Sequence, residues 1–293
     1  MNYIEPVFRP PSEARSLILQ ITNGCSWNKC TFCEMYTQPQ KRFRPKPFRD
    51  IEAEIKQVAA TGYPVRRIFL ADGDAMTLSQ RRLNEILECI NANLPGVQRV
   101  SSYCLPRNLR KKTVEQLAEL REMGLSLFYV GCESGDDLVL ERVHKGETYQ
   151  SSLEALQKIK SAGAKSSVMI LNGMGGTRYS EQHAVNSARL MNDAQPEYLS
   201  TLVVSFPLGT ARYQAGFNGE FEPLDQPGLF REMHWLLETL ELDNTIFRSD
   251  HASNYLVLKG TLNKDKRHLL AQVQAAIERP GSVPLRQEWQ RGL

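Results

Sequence analysis

The chain has 293 residues, with 36 Lys and Arg against 33 Asp and Glu, and 41% of its residues are hydrophobic. These values are those of an ordinary globular protein, and they exclude intrinsic disorder and fibrous repeats. No apolar run approaches the roughly 18 residues that a membrane span needs, and the first residues lack the basic and apolar segments of a signal peptide. The sequence therefore predicts a cytoplasmic protein without a membrane-spanning segment.

Six short apolar runs alternate with helical patterns along the first two thirds of the chain. They predict buried parallel strands over residues 16–21, 65–70, 97–103, 125–130, 164–171 and 198–205. Between them, apolar residues recur at helical spacing near residues 51–58, 83–90, 114–120 and 153–159. This alternation is typical of α/β proteins with a parallel sheet.

Residues typical of helix starts and helix ends agree with these predicted elements. Two capping-box patterns, Thr113-x-x-Gln116 and Ser151-x-x-Glu154, predict helix starts. Three glycines stand where a helix is expected to end before a strand: Gly62, Gly124 and Gly163.

Successive predicted strands begin about 30–40 residues apart, the length of a βα unit. Six such units predict an α/β fold, a partial (βα)6 TIM-like barrel, although the same periodicity permits an open doubly wound sheet. After residue 210 the pattern loosens, with helical signals near 229–240 and 265–279. We therefore expect an extended N-terminal segment over 1–15, a barrel over 16–210, and a C-terminal extension packed on it over 211–293.

Three of the six cysteines, Cys25, Cys30 and Cys33, lie together in a loop after the first predicted strand. Clustered cysteines in an intracellular protein bind metal more often than they form disulfides. Loops at the carboxyl ends of parallel strands build active sites. A structural zinc or iron–sulfur site is closed by four ligands, and this loop offers three thiolates. The loop therefore predicts a metal centre with one open coordination position. The alternative is a zinc site completed by a distant histidine.

The spacing C-x4-C-x2-C, with Phe32 before the third cysteine, resembles the cluster loop of the radical S-adenosylmethionine (radical SAM) superfamily, usually C-x3-C-x-Φ-C. This chain departs from it by one extra residue between Cys25 and Cys30. The resemblance implies that Cys25, Cys30 and Cys33 hold three irons of a [4Fe–4S] cluster whose fourth iron chelates S-adenosyl-L-methionine (SAM). It also implies that Phe32 lies near the adenine.

A second motif, Asp72-Gly73-Asp74, ends the second predicted strand. Taken alone, Asp-Gly often marks only a turn. The family has a Gly-Gly-Glu-like motif in this place, and Asp74 keeps the acid at its third position. The resemblance implies that Asp74 accepts hydrogen bonds from the methionine ammonium of SAM, an interaction that charge strengthens.

A third motif, Gly-x-Glu133-Ser-Gly, ends the fourth predicted strand and is followed by Arg142-Val-His-Lys145. It is similar to the subgroup of oxygen-independent coproporphyrinogen oxidase and the Elongator catalytic subunit. The resemblance implies that Glu133 contacts the ribose hydroxyls and Lys145 the SAM carboxylate, with Arg142 as the alternative to Lys145. Cys132 is expected to be a small buried residue. No side chain is assigned to the hydrogen abstraction itself.

The resemblance implies an enzyme that takes an electron from a reduced flavodoxin or ferredoxin. SAM is then cleaved to methionine and a 5′-deoxyadenosyl radical, which abstracts hydrogen from an unidentified substrate. We expect one cluster per chain, because the other cysteines are spread over separate βα units. These are Cys89, Cys104 and Cys132.

Residues 41–49 include five basic residues and two prolines, which predicts a solvated, stiffened loop. A surface for an acidic substrate or RNA is the alternative, although the net charge of +3 does not indicate nucleic acid. Two other classes of protein are therefore kept as hypotheses. One is a zinc-stabilised RNA-binding module that uses the cysteine loop and this basic run; the other is a ferredoxin-like electron carrier.

Overall fold

The computed structural model describes residues 1–292, and the chain divides into two compact units. Unit 1 comprises residues 1–28, 33–130 and 157–166. Unit 2 comprises residues 29–32, 131–156 and the chain from residue 167 onward. None of the helices in residues 1–292 has the length and apolarity that crossing a membrane demands.

The main strands of unit 1 are parallel and pair in the order in which they occur along the chain. In chain order the strands are β1 (Leu17–Gln20), β2 (Thr22–Asn23), β3 (Arg44–Pro45), β4 (Arg67–Ala71), β5 (Arg99–Cys104) and β6 (Leu125–Glu133), of which residues 131–133 belong to unit 2. β1 pairs with β4, β4 with β5, and β5 with β6, all parallel as predicted. The short antiparallel pair β2–β3 was not predicted.

Helices cover the apolar strands of unit 1. They are α1 (Phe48–Ala60), α2 (Gln80–Asn93) and α3 (Val114–Glu122). The capping box at the start of α3 is confirmed, because the side chains of Thr113 and Gln116 each accept the other's backbone N–H, at 3.2 and 3.0 Å. The predicted glycines at the helix ends all have positive φ, as such positions require.

Unit 2 continues the alternation and ends in an antiparallel pair. Its helices and strands are α4 (Asp137–Arg142), α5 (Tyr149–Ser161, shared with unit 1), β7 (Lys165–Asn172), α6 (Gly176–Ala194), β8 (Tyr198–Val203), α7 (Ala211–Gly216), α8 (Gln226–Thr239), β9 (Thr245–Ser249), β10 (Leu258–Leu262) and α9 (Lys266–Glu278). β7–β8 and β8–β9 are parallel, whereas β9–β10 is antiparallel. All six predicted strands are present, and the sequence missed β9, β10 and α6.

Two details of the helix predictions are corrected. The second capping box is wrong because α5 begins at Tyr149, and the reciprocal hydrogen bonds join Thr148 and Ser151 at 2.9 and 3.1 Å. The longest helix, α6, escaped prediction because its buried face carries polar side chains, among them Ser180, His183 and Ser187. A face of that kind weakens the apolar periodicity on which helix prediction rests.

Candidate functional site

The cysteine loop begins and ends in unit 1, where its two ends are fastened together. The Asn23 side chain donates hydrogen bonds to the carbonyls of Gln40 and Arg42, at 2.7 and 3.0 Å. Gly24 has a φ of 68°, and a Cβ there would overlap the Lys41 carbonyl, so only glycine allows this approach. The loop that carries the cysteines is therefore closed at its base.

The segment between Cys25 and Cys30 turns at Asn28. Asn28 has a φ of 42°, a conformation that asparagine tolerates better than most residues. Its side chain donates to the Tyr36 carbonyl at 2.9 Å, which fixes the turn. Cys25 and Cys33, the two cysteines of the loop that belong to unit 1, are half-buried.

Cys30 and Phe32 belong to the short stretch of the loop that is part of unit 2. The Cys30 carbonyl accepts a hydrogen bond from Arg212 on α7 at 3.2 Å, and the Thr31 amide donates to the Val143 carbonyl at 3.0 Å. Phe32 packs against the apolar cluster around Val143. The backbone on either side of Thr31 is thus held in place, with Cys30 half-buried.

Within residues 1–292, no three Cys, His, Asp or Glu side chains converge closely enough to share one metal ion. A [4Fe–4S] cluster makes a different demand, since each thiolate binds its own iron atom. Three half-buried cysteines in one closed loop fit that demand by donor chemistry and by spacing along the chain.

The acidic turn after β4 begins with Asp72, which is sealed in the core with Lys41. Neither side chain is exposed, and the Lys41 ammonium donates to Asp72 Oδ2. Gly24 N and Gln20 Nε2 also donate to that oxygen, each at 3.4 Å. The expectation that the basic run is entirely solvated is therefore wrong at Lys41, because a buried carboxylate requires a cationic partner.

Asp74, the residue predicted to bind the methionine ammonium, is fully buried and bound to the cysteine loop. Its Oδ2 accepts hydrogen bonds from the Ser26 amide, at 3.0 Å, and from the Ser26 hydroxyl. Its other oxygen, Oδ1, is buried and accepts no hydrogen bond from any group in the described chain. Leaving a carboxylate oxygen in this state is costly, so the site fits a cationic ligand.

Gly73 shows why the acidic turn has a glycine at its centre. A Cβ at this position would overlap the ring of Tyr36, which packs directly on the backbone. The Asp-Gly-Asp motif is therefore more than a surface turn, since all three positions lie against the cysteine loop or its closing residues.

In unit 2 the structure brings together Phe32, Glu133 and Lys145. Lys145 Nζ lies 3.1 Å from Glu133 Oε1 and 5.7 Å from the centre of the Phe32 ring. Burial has the largest single effect and would lower the pKa of Lys145, but Glu133, with contributions from Cys30 and Cys132, raises it, and the net shift of the pKa is upward. Lys145 is therefore an ammonium at neutral pH.

Glu133 itself has two marks of a ligand-binding residue. Its φ is 67°, a left-handed conformation that non-glycine residues seldom adopt and that clusters at functional sites. Its Oε2 is buried, and no donor among residues 1–292 reaches it. A ribose hydroxyl is a donor of the kind this oxygen lacks.

Neighbouring residues bear on the choice between Lys145 and Arg142. Arg142 Nη1 lies 3.5 Å from the Gly216 carbonyl at the end of α7, whereas Lys145 pairs with Glu133. Arg142 therefore contacts the end of α7, and Lys145 contacts the predicted ribose ligand Glu133. Cys132 is fully buried as predicted, and burial raises the pKa of its thiol to about 12.

Sequence reasoning missed a buried polar network just beyond Glu133. Ser134 Oγ lies 2.8 Å from His183 Nδ1, and His183 Nε2 lies 3.0 Å from the Leu171 carbonyl. Glu232 on α8 accepts hydrogen bonds from the Gly173 amide and the Ser180 hydroxyl, both at 2.6 Å. The histidine stands in α6, the helix that the sequence did not reveal.

The family of the chain follows from its match to a known superfamily. Residues 19–191, more than half of the sequence, match the Radical SAM superfamily. The chain therefore belongs to the radical SAM superfamily, whose members are enzymes that use a [4Fe–4S] cluster and SAM. This confirms the class and the cofactors that the cysteine loop predicted, and it decides against the zinc-stabilised RNA-binding module and the ferredoxin-like carrier.

Individual relatives are distant. The chain is 28% identical over 155 residues to the heme chaperone HemW of Bacillus subtilis (strain 168), covering 51% of this chain and 40% of HemW. It is 23% identical over 202 residues to the tRNA-2-methylthio-N(6)-dimethylallyladenosine synthase of Chlorobium phaeobacteroides (strain BS1), covering 67% of this chain and 43% of that enzyme. The chain thus spans less than half the length of these curated relatives.

Solved structures agree on the fold. The coproporphyrinogen III oxidase HemN from Escherichia coli superposes with a TM-score of 0.57 at 14% identity, over 76% of this chain and 52% of HemN. The methyltransferase TsrM from Kitasatospora setae gives a TM-score of 0.52 at 19% identity, over 64% of this chain and 36% of TsrM. The predicted α/β fold, a partial TIM-like barrel, is confirmed.

Proposed function

We propose that this radical SAM enzyme binds a single [4Fe–4S] cluster through Cys25, Cys30 and Cys33 and abstracts hydrogen from its substrate. The bound cluster and SAM supply the 5′-deoxyadenosyl radical. A reduced flavodoxin or ferredoxin is the proposed source of the electron. What carries the proposal is the group formed by the buried Glu133 and Lys145 and the half-buried Phe32. It combines a carboxylate, an ammonium and a ring beside Cys30 of the cysteine loop.

Each side chain has a separate task in this proposal. Glu133 accepts from the ribose hydroxyls through Oε2, while Lys145 neutralises Glu133 and binds the SAM carboxylate. Phe32 offers an apolar face to the adenine. Asp74 accepts from the methionine ammonium through Oδ1, and Ser26 keeps that carboxylate fastened to the cysteine loop.

The experiment that tests the cluster ligands replaces Cys25, Cys30 and Cys33 one at a time with Ala. Each variant should lose most of its iron and its iron–sulfur absorbance after anaerobic reconstitution, because a thiolate ligand is missing. Cys89→Ala is the matched control, since Cys89 is half-buried in α2, and it should keep its iron. Full iron retention in all three loop variants would refute the assignment.

The number of clusters is tested by the iron content of the wild-type chain, expected at about four atoms, as one [4Fe–4S] cluster holds. A second cluster would need several further thiolates, and the other cysteines, Cys89, Cys104 and Cys132, are spread over separate βα units. A reproducible value near eight that falls when Cys104 and Cys132 are replaced would contradict it. Dithionite reduction with SAM should release 5′-deoxyadenosine, and a cluster-loaded chain that releases none would overturn the proposed activity.

A further inference from the structure

Unit 1 contains a groove that none of the proposed cofactor contacts uses. It has a volume of about 540 Å³, and its walls are the segments that follow β4 and β5, residues 76–80 and 107–112. Both segments lie at the carboxyl ends of parallel strands, the edge at which such folds bind ligands. The first wall begins two residues after Asp74.

The charge of the groove has one sign. Among the described residues that line it, four are cationic and none is acidic; the cations are Arg107, Arg110, Lys111 and Lys112. The whole chain has a net charge of only +3, so this concentration is local. A concave surface with charge of one sign raises the local concentration of ligands of the opposite sign.

The groove is a built site, because its two walls are joined by hydrogen bonds. Asn108 Nδ2 donates to Thr77 Oγ1 at 2.9 Å, and Lys112 Nζ donates to the Leu78 carbonyl at 3.0 Å. Lys158 Nζ, on α5, donates to the Leu109 carbonyl at 2.9 Å. The cations are therefore presented by a segment whose backbone is fixed.

Arg107 links the groove to the cysteine loop. Its guanidinium carbon lies 3.7 Å from the centre of the Trp27 ring. Trp27 stands between Cys25 and Cys30 in the sequence. Stacking on an aromatic ring holds the guanidinium plane in one orientation, with its edge N–H groups directed sideways. A ligand bound by Arg107 would touch the loop that carries Cys25.

We infer that this groove binds the phosphate group of the substrate. A phosphate monoester carries a charge of about −1.5 to −2 at pH 7, which suits several cations better than a single carboxylate does. The volume is that of a small-molecule pocket, roughly 300–1,000 Å³, whereas a docked protein covers a broad face of about 800 Å². Naming the ligand as substrate rests on the proposed function; the binding of phosphate does not.

The test uses the reconstituted full chain without reductant, so its result does not depend on SAM cleavage. The probes are inorganic pyrophosphate, ribose 5-phosphate, uncharged ribose, and a labelled single-stranded RNA of about 12 nucleotides. The groove variant is R110Q/K111Q, because both side chains are exposed. The control is R66Q/K165Q, which removes the same charge from exposed positions of unit 1 outside the groove.

We expect the wild-type chain to bind both phosphate probes and not ribose, and R110Q/K111Q to bind them at least tenfold more weakly. The control should change the affinity less than twofold. RNA binding that is tighter than ribose 5-phosphate binding, with a salt dependence reduced by about two units of slope in the groove variant, identifies a polymer as the source of the phosphate. RNA binding no tighter than ribose 5-phosphate identifies a free metabolite.

Three results would overturn the inference. The first is a wild-type chain that binds none of the phosphate probes. The second is an equal loss of affinity in the groove variant and the control, which would mean diffuse charge rather than a site. The third is a groove variant that binds the phosphate probes as tightly as the wild-type chain does. If a separate assay then shows that flavodoxin reduces this variant slowly, the surface is the docking face of an acidic protein.

Discussion

Each unit of the molecule contains one buried lysine–carboxylate pair, and the two pairs differ in what surrounds them. In unit 1, Lys41 and Asp72 are completely sealed, and Asp72 also accepts hydrogen bonds from Gly24 and Gln20. In unit 2, Lys145 and Glu133 keep slight exposure, 4% and 10%, and Glu133 has a left-handed backbone. Each pair leaves one buried carboxylate oxygen, Asp72 Oδ1 or Glu133 Oε2, without a donor among residues 1–292. The two pairs therefore differ in exposure and in the left-handed backbone at Glu133, not in the number of hydrogen-bonded oxygens.

The comparison indicates that the same kind of ion pair can serve architecture or binding, depending on whether a ligand can reach it. A buried pair is weak evidence of stabilisation, but removing one member leaves a costly uncompensated charge. We therefore expect substitution of Lys41 to lower stability alone, whereas substitution of Glu133 should also lower cofactor affinity, because it removes a proposed ligand as well as the partner of Lys145.

The largest effect is expected from Lys41→Met. It leaves the Asp72 carboxylate buried without its cation, which should lower the free energy of unfolding by about 3–5 kcal/mol. Denaturant unfolding under anaerobic conditions measures it, and the double variant K41M/D72N should recover part of the loss. Arg81→Met, in an exposed pair with Glu85, is the control and should change nothing measurable. A stable Lys41→Met protein would break the comparison.

The next effect concerns SAM affinity in Glu133→Ala and Asp74→Ala. Each variant should bind SAM about tenfold to a hundredfold more weakly with its cluster intact, because a charged hydrogen bond is worth about 1.5–3 kcal/mol. Equilibrium binding to the reconstituted protein measures it, beside Glu141→Gln on the exposed side of α4 as the control. If both variants bind SAM as the wild type does, neither carboxylate is a cofactor ligand.

A smaller effect is expected from Gly131→Ala. The new Cβ would overlap Glu133 Oε1 and lie 3.4 Å from Lys145 Nζ, so the flexible carboxylate must move. SAM affinity should fall several-fold, while the unfolding transition changes little. The control is Gly96→Ala, whose new Cβ would meet only a backbone oxygen at 3.4 Å. Gly62→Ala is unsuitable because the φ of Gly62 is positive. An unchanged affinity would mean that the position of Oε1 does not matter.

The last prediction concerns Glu232, a buried acid that is not paired with a lysine among residues 1–292. Burial raises the pKa of Glu232, although His183 and the hydrogen bonds from Ser180 and Gly173 lower it in part. Because the folded pKa is above the unfolded value, the contribution to stability is complete below about pH 4.3 and is lost as pH rises through the folded pKa. Relative to Glu232→Gln, the wild type should therefore lose stability as pH rises above about 4.3.

Urea unfolding at several pH values measures that difference, with Glu181→Gln on the exposed side of α6 as the control. A wild type that gains stability over Glu232→Gln as pH rises would show that the hydrogen bonds outweigh burial. Together with Lys41→Met, the result tests whether a nearby cation is what distinguishes Asp72 from Glu232.

Local patterns predicted much of the fold because its strands are short, apolar and parallel. Each of β1, β4, β5, β6, β7 and β8 lies within a few residues of its predicted place. Prediction from the sequence failed where buried positions carry polar side chains or where strands are very short. Helix α6 buries Ser180, His183 and Ser187, and the antiparallel β9–β10 pair alternates buried and exposed positions too briefly to be recognised.

The candidate site was predicted by motif, and its internal partners were not. The cysteines, Asp74, Glu133 and Lys145 come from spacing and resemblance. No pattern in the sequence indicates that Lys41 pairs with Asp72 or that Ser26 binds Asp74, because these contacts join residues far apart in the chain. Such pairings are fixed by tertiary packing, which a local pattern does not encode.

The closed base of the cysteine loop has a consequence for how such a loop can change during evolution. Because Asn23, Gly24 and the β2–β3 pair fix both ends, a residue added between them alters only the length of a loop that is already closed. Doubling the length of a flexible loop costs about 0.6 kcal/mol, so a single inserted residue costs far less. A change in the spacing between Cys25 and Cys30 is therefore limited by the contacts of Ser26, Asn28 and Cys30 within the loop rather than by loop closure, while the strands on either side keep their register.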